Sequence, residues 1–350
     1  MKKFTTIDKL KTFFIVIICL CLIVPVVISF ATVDNTKRII RIAHSQPVTH
    51  PQHEALLEFE KYVEERLGDK YDVQVFPNEL LGSAQRIIEL CQTGAIDYII
   101  CSAANLDSFS DYYDLFSVPY LFSSRDAYKE AMSNNEFMEN NLYNTSEELG
   151  FKAVTWFDAG SRNFYADFPI YSPADLKGKK IRVQQNPASV SAVESFGAAP
   201  VAMSFGEVYT AIQQKVIDGA ENNELALTVN KHGEVAHYFS YSEHQMIPDF
   251  LLANVRFLDS LEPEERAVFD EAAQIANQYE LSAFDKATED AINTATNVMG
   301  DKFLTIDKEP FIEASEKVKE KMLESNPLVH NLYGFIQSIN NKYESAQGGQ

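Results

Sequence analysis

The chain has 350 residues, of which 30 are Lys or Arg and 50 are Asp or Glu, so its formal charge is −20. A surface this acidic repels nucleic acid and anionic lipid headgroups, which argues against a role in binding either. The length exceeds what one hydrophobic core usually supports and favours two domains.

Residues 1–31 have the pattern of an export signal. Lysines precede an almost uninterrupted apolar run from Phe13 to Phe30, and Ser29-Phe30-Ala31 offers small residues at the positions that a signal peptidase reads. The run is also long enough to span a bilayer. We therefore expect a cleaved signal peptide or an uncleaved N-terminal anchor, with the rest of the chain in the periplasm or on the outer face of the cell membrane.

Strand and helix patterns alternate after the leader. The predicted strands are 38–43, 72–76 and 96–101, and the predicted helices between them are 50–67 and 83–92. Strands separated by helices indicate a parallel sheet with right-handed crossovers. Cys91 and Cys101 are expected to be buried free thiols rather than a disulfide.

One segment nearly repeats in the second half of the chain. Residues 86–98 (RIIELCQTGAIDY) align without gaps with residues 207–219 (EVYTAIQQKVIDG), and both combine an apolar helical stripe with an Ile-Asp pair. Ligands of open parallel sheets bind beyond the carboxyl ends of the strands. The pattern therefore predicts two similar α/β lobes with a cleft between these ends. Polar residues follow each copy there: Ser102 and Asn105 in the first, Glu221, Asn222 and Asn223 in the second.

Long helical patterns replace the alternation after about residue 250. Residues 264–298 keep apolar side chains at helical spacing, and Pro263 suits a first helical turn. We expect this helix to run along both lobes as a spine. The segments 310–322 and 328–339 are expected to pack on the second lobe.

Catalytic motifs are absent from the sequence. It contains no GxSxG elbow, no GxxxxGK[ST] phosphate loop, no HExxH and no GxGxxG after the first strand, and its cysteines show no metal-ligand spacing. This absence favours a binding protein over an enzyme, although it does not exclude an enzyme. No cofactor and no metal are expected.

The stretch from Asp175 to Asn223 carries the strongest chemical signal. DLKGKKIRV places Arg182 in an apolar strand pattern, and an Asn-rich turn around Asn222 follows later in the chain. A guanidinium can bind both oxygens of a carboxylate, stays charged, and makes stronger bonds than an ammonium group. We therefore expect Arg182 and this turn to hold a carboxylate.

Five long motifs occur along the chain: RIAHSQPVTHP, NELLGSAQRIIELCQTGAIDY, DLKGKKIRV, GAAPVAMSFGEVYTAIQQKVIDGAENN and EVAHYFSYSEH. Together they resemble the DctP-type solute-binding proteins of tripartite ATP-independent periplasmic (TRAP) transporters, from about Arg41 to Phe311. The resemblance implies an α/β, two-lobed periplasmic-binding-protein-like fold with a ligand cleft between the lobes and a long spine helix. It also implies capture of an organic acid by hinge closure and its delivery to a membrane permease.

The resemblance further implies which residues bind the ligand. Arg182 matches the family's carboxylate-binding arginine, Arg162 matches a second arginine aimed at the same acid, and Asn222 matches the asparagine of the family's DGxEN turn. For Arg162 a structural salt bridge stays open as the alternative, and for Asn222 a turn-capping role. The remaining implied positions are His44, Gln46, Glu79, Phe205, Asn223 and His244.

The expected lobes comprise residues 38–159 plus 248–287, and residues 160–247 plus 288–340. Polar first-lobe side chains such as Glu79 favour ligand hydroxyls over an apolar tail. We therefore expect a sugar acid, such as a hexuronate or aldonate, ahead of a C4-dicarboxylate or an aromatic or keto acid. A ligand sensor for a signalling receptor and a secreted sugar-acid enzyme stay open as alternatives.

Overall fold

The structure, a computed structural model, describes residues 37–347. The expected export segment, residues 1–31, lies outside the described residues. Within the described part, no helix is both long and apolar enough to cross a membrane.

Two β-sheets organise the described residues. The first contains, in spatial order, β2 (Tyr71–Phe76), β1 (Arg38–Ala43), β3 (Tyr98–Ser102), β10 (Asp249–Asn254) and β4 (Phe151–Phe157). The second contains, in spatial order, β11 (Lys302–Thr305), β9 (Tyr238–Gln245), β5 (Arg162–Ala166), β8 (Gly219–Asn222), β6 (Lys180–Val183) and β7 (Ala199–Ala202). Each sheet forms the centre of one lobe.

Helices cover both sheets. In chain order they are α1 (Pro51–Leu67), α2 (Ala84–Thr93), α3 (Ala103–Leu106), α4 (Arg125–Met132), α5 (Asn135–Asn141), α6 (Pro173–Leu176), α7 (Pro187–Ser195), α8 (Val208–Gln213), α9 (Leu225–Thr228), α10 (Val255–Asp259), α11 (Pro263–Thr294), α12 (Glu309–Ser325) and α13 (His330–Gln347). Short 3-10 segments occur at Asp111–Ser117, Tyr143–Leu149, Phe205–Glu207, His232–Glu234 and Pro327–Val329, and a π-helical turn at Ala295–Met299.

The strands and helices predicted for the first lobe are confirmed to within two residues at each end. The parallel arrangement predicted for the first three strands is confirmed, since β1 pairs in parallel with both β2 and β3. Each sheet also contains antiparallel strands, which were not predicted. Strand β10 runs antiparallel to β3 and β4, and β5 runs antiparallel to β8 and β9. Both strands enter their sheet directly from the other lobe, through segments 158–161 and 246–248, rather than through the helical crossover that a parallel neighbour requires.

The two copies of the near-repeat occupy equivalent places. Strand β3 lies between parallel β1 and antiparallel β10, and β8 lies between parallel β6 and antiparallel β5. The repeated aspartate has the same role in each copy. The carboxylate of Asp97 accepts a hydrogen bond from the Arg41 backbone N–H at 2.9 Å, and that of Asp218 accepts one from the Lys180 N–H at 2.8 Å. The repeat therefore encodes two similar lobes.

Helix α11 spans both lobes, as predicted for the spine. Its N-terminal half packs in the first-lobe core through Phe269, Ala272 and Ala276. Further along, Phe284 packs against Leu225 of the second lobe. Because both aromatic rings are almost fully buried, each contributes about 2 to 3 kcal/mol of apolar burial, and the helix ties the lobes together.

The last two helices pack on different lobes. As expected, α12 packs on the second lobe, where Phe311 lies 6.0 Å from Phe164 between ring centroids. The expectation that residues 328–339 also pack there is wrong. Ile336 of α13 lies in the first-lobe core, and Phe335 stacks on Phe137 at 3.8 Å. The apolar stripe of α13 thus completes the first-lobe core beside α4.

Four connections join the lobes within the described residues: segment 158–161, segment 246–248, helix α11, and the Pro327–Val329 turn between α12 and α13. We retain as a proposal the lobe borders at 159/160, 247/248 and 287/288, with α13 assigned to the first lobe. A molecule joined in this way can hinge at two short segments while the long helix keeps the lobes in register.

Cys91 and Cys101 are buried free thiols in the first-lobe core, which confirms the prediction for this pair. Burial raises the pKa of both thiols above its usual value. Neither side chain is therefore a reactive thiolate at neutral pH.

Candidate ligand-binding site

A cavity lies between the lobes at the carboxyl ends of β3 and β8. Its first-lobe lining is mostly polar and includes Ser45, Gln46, His50, Gln52, Glu79, Ser102, Asn105 and Asp249. Its second-lobe lining includes Arg162, Arg182, Gln184, Gln185, Ser204, Phe205, Asn222 and Asn223. Of the nine side chains expected to bind ligand, all but His44 and His244 line this cavity.

The two walls of the cavity carry opposite charges. The second lobe contributes the guanidinium groups of Arg162 and Arg182, whereas the first lobe contributes the carboxylates of Glu79 and Asp249. An anionic group is therefore attracted to the second-lobe wall. Neutral hydrogen-bond donors suit the first-lobe wall.

Strand alternation places Arg182 in the cavity. In the KIRV strand β6, Ile181 and Val183 point into the second-lobe core, so the intervening Arg182 points to the opposite face. Strand β6 lies between β7 and β8. The guanidinium therefore projects from the interior of the sheet rather than from a mobile edge.

Arg182 is a buried cation that makes no ion pair with the part of the chain that the structure describes. It is 4% exposed, and its Nε and Nη2 both donate to the Met203 carbonyl, at 3.1 and 2.8 Å. No carboxylate of the described residues lies within ion-pair distance of it. Burial lowers the pKa of Arg182 to about 10, so it remains protonated at neutral pH. Its remaining N–H groups are available to a ligand carboxylate, while the Phe205 ring lies 5.6 Å away.

Arg162 combines a structural ion pair with a place in the cavity wall. Its Nε and Nη2 both donate to the Glu221 carboxylate, the Nη2 bond being 2.9 Å, and Nη2 also donates to the Glu221 carbonyl. Burial opposes the charge, but the Glu221 carboxylate outweighs it and raises the pKa of Arg162. The structural salt bridge that the sequence left open for Arg162 is therefore present. Nη1 is the least engaged nitrogen of the guanidinium, since its one hydrogen bond within the described residues is a long one, 3.4 Å to Asn222 Oδ1.

The asparagine turn after β8 divides its roles between neighbours. Asn222 Oδ1 accepts from the Asn223 backbone N–H at 2.9 Å, and its Nδ2 has no partner among residues 37–347. Asn223 instead donates to the Ala159 carbonyl at 2.8 Å and accepts from the Leu225 N–H, at the start of α9, at 3.0 Å. Asn222 is therefore free to donate to a ligand, whereas Asn223 holds the turn against the hinge segment.

His244 lies behind the cavity wall. Its ring stacks on Phe164 at 4.5 Å, Nδ1 lies 2.9 Å from Ser242 Oγ, and Nε2 lies 3.8 Å from Glu221 Oε2. Burial, assisted by the charge of Arg162, lowers the pKa of His244 to about 3. This neutral ring can influence a ligand only through the Arg162–Glu221 pair.

His44 is also held away from the cavity. Its Nε2 lies 3.0 Å from His53 Nδ1, and its Nδ1 accepts from the Gln46 backbone N–H at 3.2 Å. Burial lowers the pKa of His44 to about 3, with a smaller contribution from His53. Its role in the structure is to position the segment that carries Gln46.

Two first-lobe side chains reach across the cavity. Gln46 Oε1 accepts from Asn230 Nδ2 of the second lobe at 3.3 Å. Glu79, in the left-handed backbone region with φ 55°, places its carboxylate against the backbone of Phe205 and Gly206. Burial raises the pKa of Glu79, and the N–H groups of this turn partly offset the effect. The lobes are thus in contact around the cavity.

Sequence reasoning missed His50, Gln52, Gln184 and Asp249 in the cavity lining. The only available signal was a polar residue at the start of a strand or helix that is otherwise apolar, as for Asp249 in DFLLAN. Such residues are usually solvated caps, so the signal is weak. Within the described residues, no cluster of His, Cys, Asp and Glu could hold a metal ion.

Comparison with known proteins identifies the family. Residues 42–326 match the family model DctP, described as "Bacterial extracellular solute-binding protein, family 7". The uncharacterized protein YiiZ of Salmonella typhimurium is 39% identical over 309 residues, which cover 88% of this chain and 94% of YiiZ.

Solved structures give the same result. A TRAP periplasmic solute-binding protein of Anaerococcus prevotii with bound D-glucuronate is 46% identical, with a TM-score of 0.86 over 88% of this chain and 99% of its own. The corresponding protein of Xanthobacter autotrophicus with bound β-D-galacturonate is 31% identical, with a TM-score of 0.81 over 86% and 99%. With the predicted two-lobed fold thus confirmed, this chain belongs to the DctP family of extracytoplasmic solute-binding proteins of TRAP transporters.

Proposed function

We propose that the protein captures a sugar acid, such as a hexuronate or aldonate, between its lobes and delivers it to the permease of a TRAP transporter. The observation that carries the proposal is Arg182, a buried guanidinium that faces a polar cavity and has no carboxylate partner among the described residues. Burying a charge without a partner is costly, so the site is suited to receive an anion.

The polar first-lobe wall supports a hydroxylated ligand. Gln46, Gln52, Ser102 and Asn105 all line the cavity, and a site rich in such groups disfavours ligands that leave them unpaired. The glucuronate and galacturonate held by the two solved relatives support the same class of ligand.

Closure of the lobes completes the binding site in this proposal. Arg182, the Nη1 group of Arg162 and the Nδ2 group of Asn222 supply donors from the second lobe to the ligand carboxylate. Contacts across the cleft, such as Gln46 to Asn230, then hold the closed state. Binding without chemistry is sufficient for this role, and the protein acts outside the cytoplasm as a carrier rather than an enzyme.

Isothermal titration calorimetry tests the proposal directly. D-glucuronate, D-galacturonate and D-gluconate are titrated into the purified protein, with succinate and L-malate as controls. We expect micromolar or tighter binding of at least one sugar acid, which corresponds to about −8 kcal/mol or better. Binding of the C4-dicarboxylates alone would refute the proposed ligand class, and conversion of the sugar acid, detected by mass spectrometry, would refute a carrier role.

A further inference from the structure

Asp249 is the first residue of β10, and its carboxylate lies in the first-lobe wall of the cavity. It follows directly on the hinge segment 246–248 and lies in register between Ser102 of β3 and Phe157 of β4. Its Oδ2 accepts a hydrogen bond from Gln52 Nε2 at 2.6 Å. Two strands and the first turn of α1 therefore fix the position of this carboxylate.

The fold gives no reason for a charge at this position. In the described part of the chain, no Lys, Arg or His lies within ion-pair distance of Asp249. Burial raises the pKa of Asp249 to about 6, an effect that Gln52 and the field of Arg162 only partly offset. A partly buried carboxylate whose hydrogen-bond donor is a neutral amide contributes little to stability, so its presence in the cavity wall points to a role in binding.

The chemistry of the wall indicates which groups fit. A carboxylate accepts hydrogen bonds and donates none when ionised, so it pairs with ligand hydroxyls. A second ligand carboxylate would face the like charge of Asp249, and of Glu79 on the same wall, in a desolvated site. The same side chain can therefore attract one class of acid and repel another.

We propose that Asp249, positioned by Gln52, binds a hydroxyl of the captured sugar acid and excludes acids that carry a second carboxylate at that end. This inference rests on the proposed function, and it adds the residue that distinguishes a sugar acid from a dicarboxylate. The second-lobe arginines recognise the acid group that both classes share.

Asp249→Asn tests the inference, because it keeps the size of the side chain and removes its charge. D-glucuronate and D-glucarate, a C6 acid with a second carboxylate, are titrated into the full-length wild-type and variant proteins. We expect Asp249→Asn to bind D-glucuronate about ten- to a hundredfold more weakly, as for loss of a hydrogen bond to a charged group. The ratio of the D-glucarate to the D-glucuronate dissociation constant should fall about tenfold or more, since the repulsion is removed.

Gln52→Leu separates the charge of the site from its positioning. This variant keeps the Asp249 carboxylate but removes the amide that holds it. We expect a smaller loss of D-glucuronate affinity and no relief of D-glucarate rejection. The matched control is Asp259→Asn, an exposed aspartate on α10 in the same lobe, which should leave both constants unchanged. Circular dichroism and thermal unfolding establish that each variant is folded, and if Asp249→Asn does not fold, Gln52→Leu carries the test.

The outcomes distinguish this inference from the proposed function. If the wild-type protein binds D-glucuronate and folded Asp249→Asn binds it equally well, the inference alone is overturned. It is also overturned if Asp249→Asn weakens the binding of both acids by the same factor. If Asp249→Asn does not fold, wild-type affinity of Gln52→Leu for D-glucuronate overturns it. If the wild-type protein binds no sugar acid, both the proposed function and this inference are overturned.

Discussion

Replacing Arg182 with alanine is expected to remove most of the ligand affinity while the protein stays folded. The guanidinium is 4% exposed, and its only bonds to the described residues go to the Met203 carbonyl. Without it, the ligand carboxylate would be buried without its main partner, which costs about 3 to 5 kcal/mol. That loss corresponds to a weakening of between about a hundredfold and several thousandfold.

The stability of the ligand-free protein should change little in this variant. Among residues 37–347, Arg182 has no acidic partner whose charge would be left unpaired, and the space vacated by its side chain opens into the cavity rather than into the core. Thermal unfolding without ligand should therefore give a similar midpoint for the wild type and Arg182→Ala. Addition of ligand should raise the midpoint of the wild type only.

Two matched variants sharpen the experiment. Arg182→Lys keeps the charge but loses the planar fork, so we expect an intermediate loss of about tenfold. Lys180→Ala removes an exposed charge from the same strand and should leave the affinity unchanged. In calorimetry, an affinity of Arg182→Ala within about threefold of the wild type would contradict the assignment of Arg182 as the carboxylate anchor.

Three further predictions concern closure, pH and the spine. Gly206→Ala should weaken ligand binding about tenfold, because a Cβ would lie 2.7 Å from Glu79 Oε2 and displace this cavity-lining carboxylate from the Gly206 N–H, and calorimetry checks this. His44→Gln should make the protein lose less stability at acidic pH. Between about pH 6.5 and pH 3, His44 is protonated in the unfolded chain but not in the folded protein, so the free energy of unfolding falls as the pH falls. In urea unfolding, the decrease in the free energy of unfolding from pH 7 to pH 5 should be about 2 kcal/mol smaller in the variant than in the wild type. Phe284→Ala should cost about 3 to 5 kcal/mol in urea unfolding.

Each of these predictions has a control. Gly334→Ala in α13, where an added Cβ contacts nothing within 4 Å, should leave ligand affinity unchanged. Replacing the exposed His330 with glutamine is the control for His44→Gln in the same urea experiment. Tyr279→Phe removes from the spine a hydroxyl that donates to the Glu54 carboxylate at 3.0 Å on the surface, and it should cost no more than about 1 kcal/mol. Equal effects of a variant and its control would contradict the corresponding reasoning.

Local patterns were enough to predict much of the fold. Strand β6 shows period-two alternation, and helices α1, α2 and α11 show helical periodicity. Both patterns arise because apolar side chains face the core at regular spacing, so they can be recognised from residues close together in the sequence. The near-repeat with its Ile-Asp pair likewise predicted two equivalent lobes. In each lobe the aspartate, Asp97 or Asp218, accepts a hydrogen bond from a backbone N–H of the neighbouring parallel strand. The antiparallel strands were not predicted, because strand direction depends on the path between the lobes.

The sequence by itself determined the two lobes and the strand position of Arg182, since each depends on a short periodic segment. Only the tertiary structure determined which other side chains line the cavity with Arg182. Asp249 and Gln52 are 197 residues apart and contact each other at 2.6 Å, and Arg162 pairs with Glu221, 59 residues away. Because such contacts depend on which strands and helices become neighbours within each lobe, no local spacing in the chain encodes them.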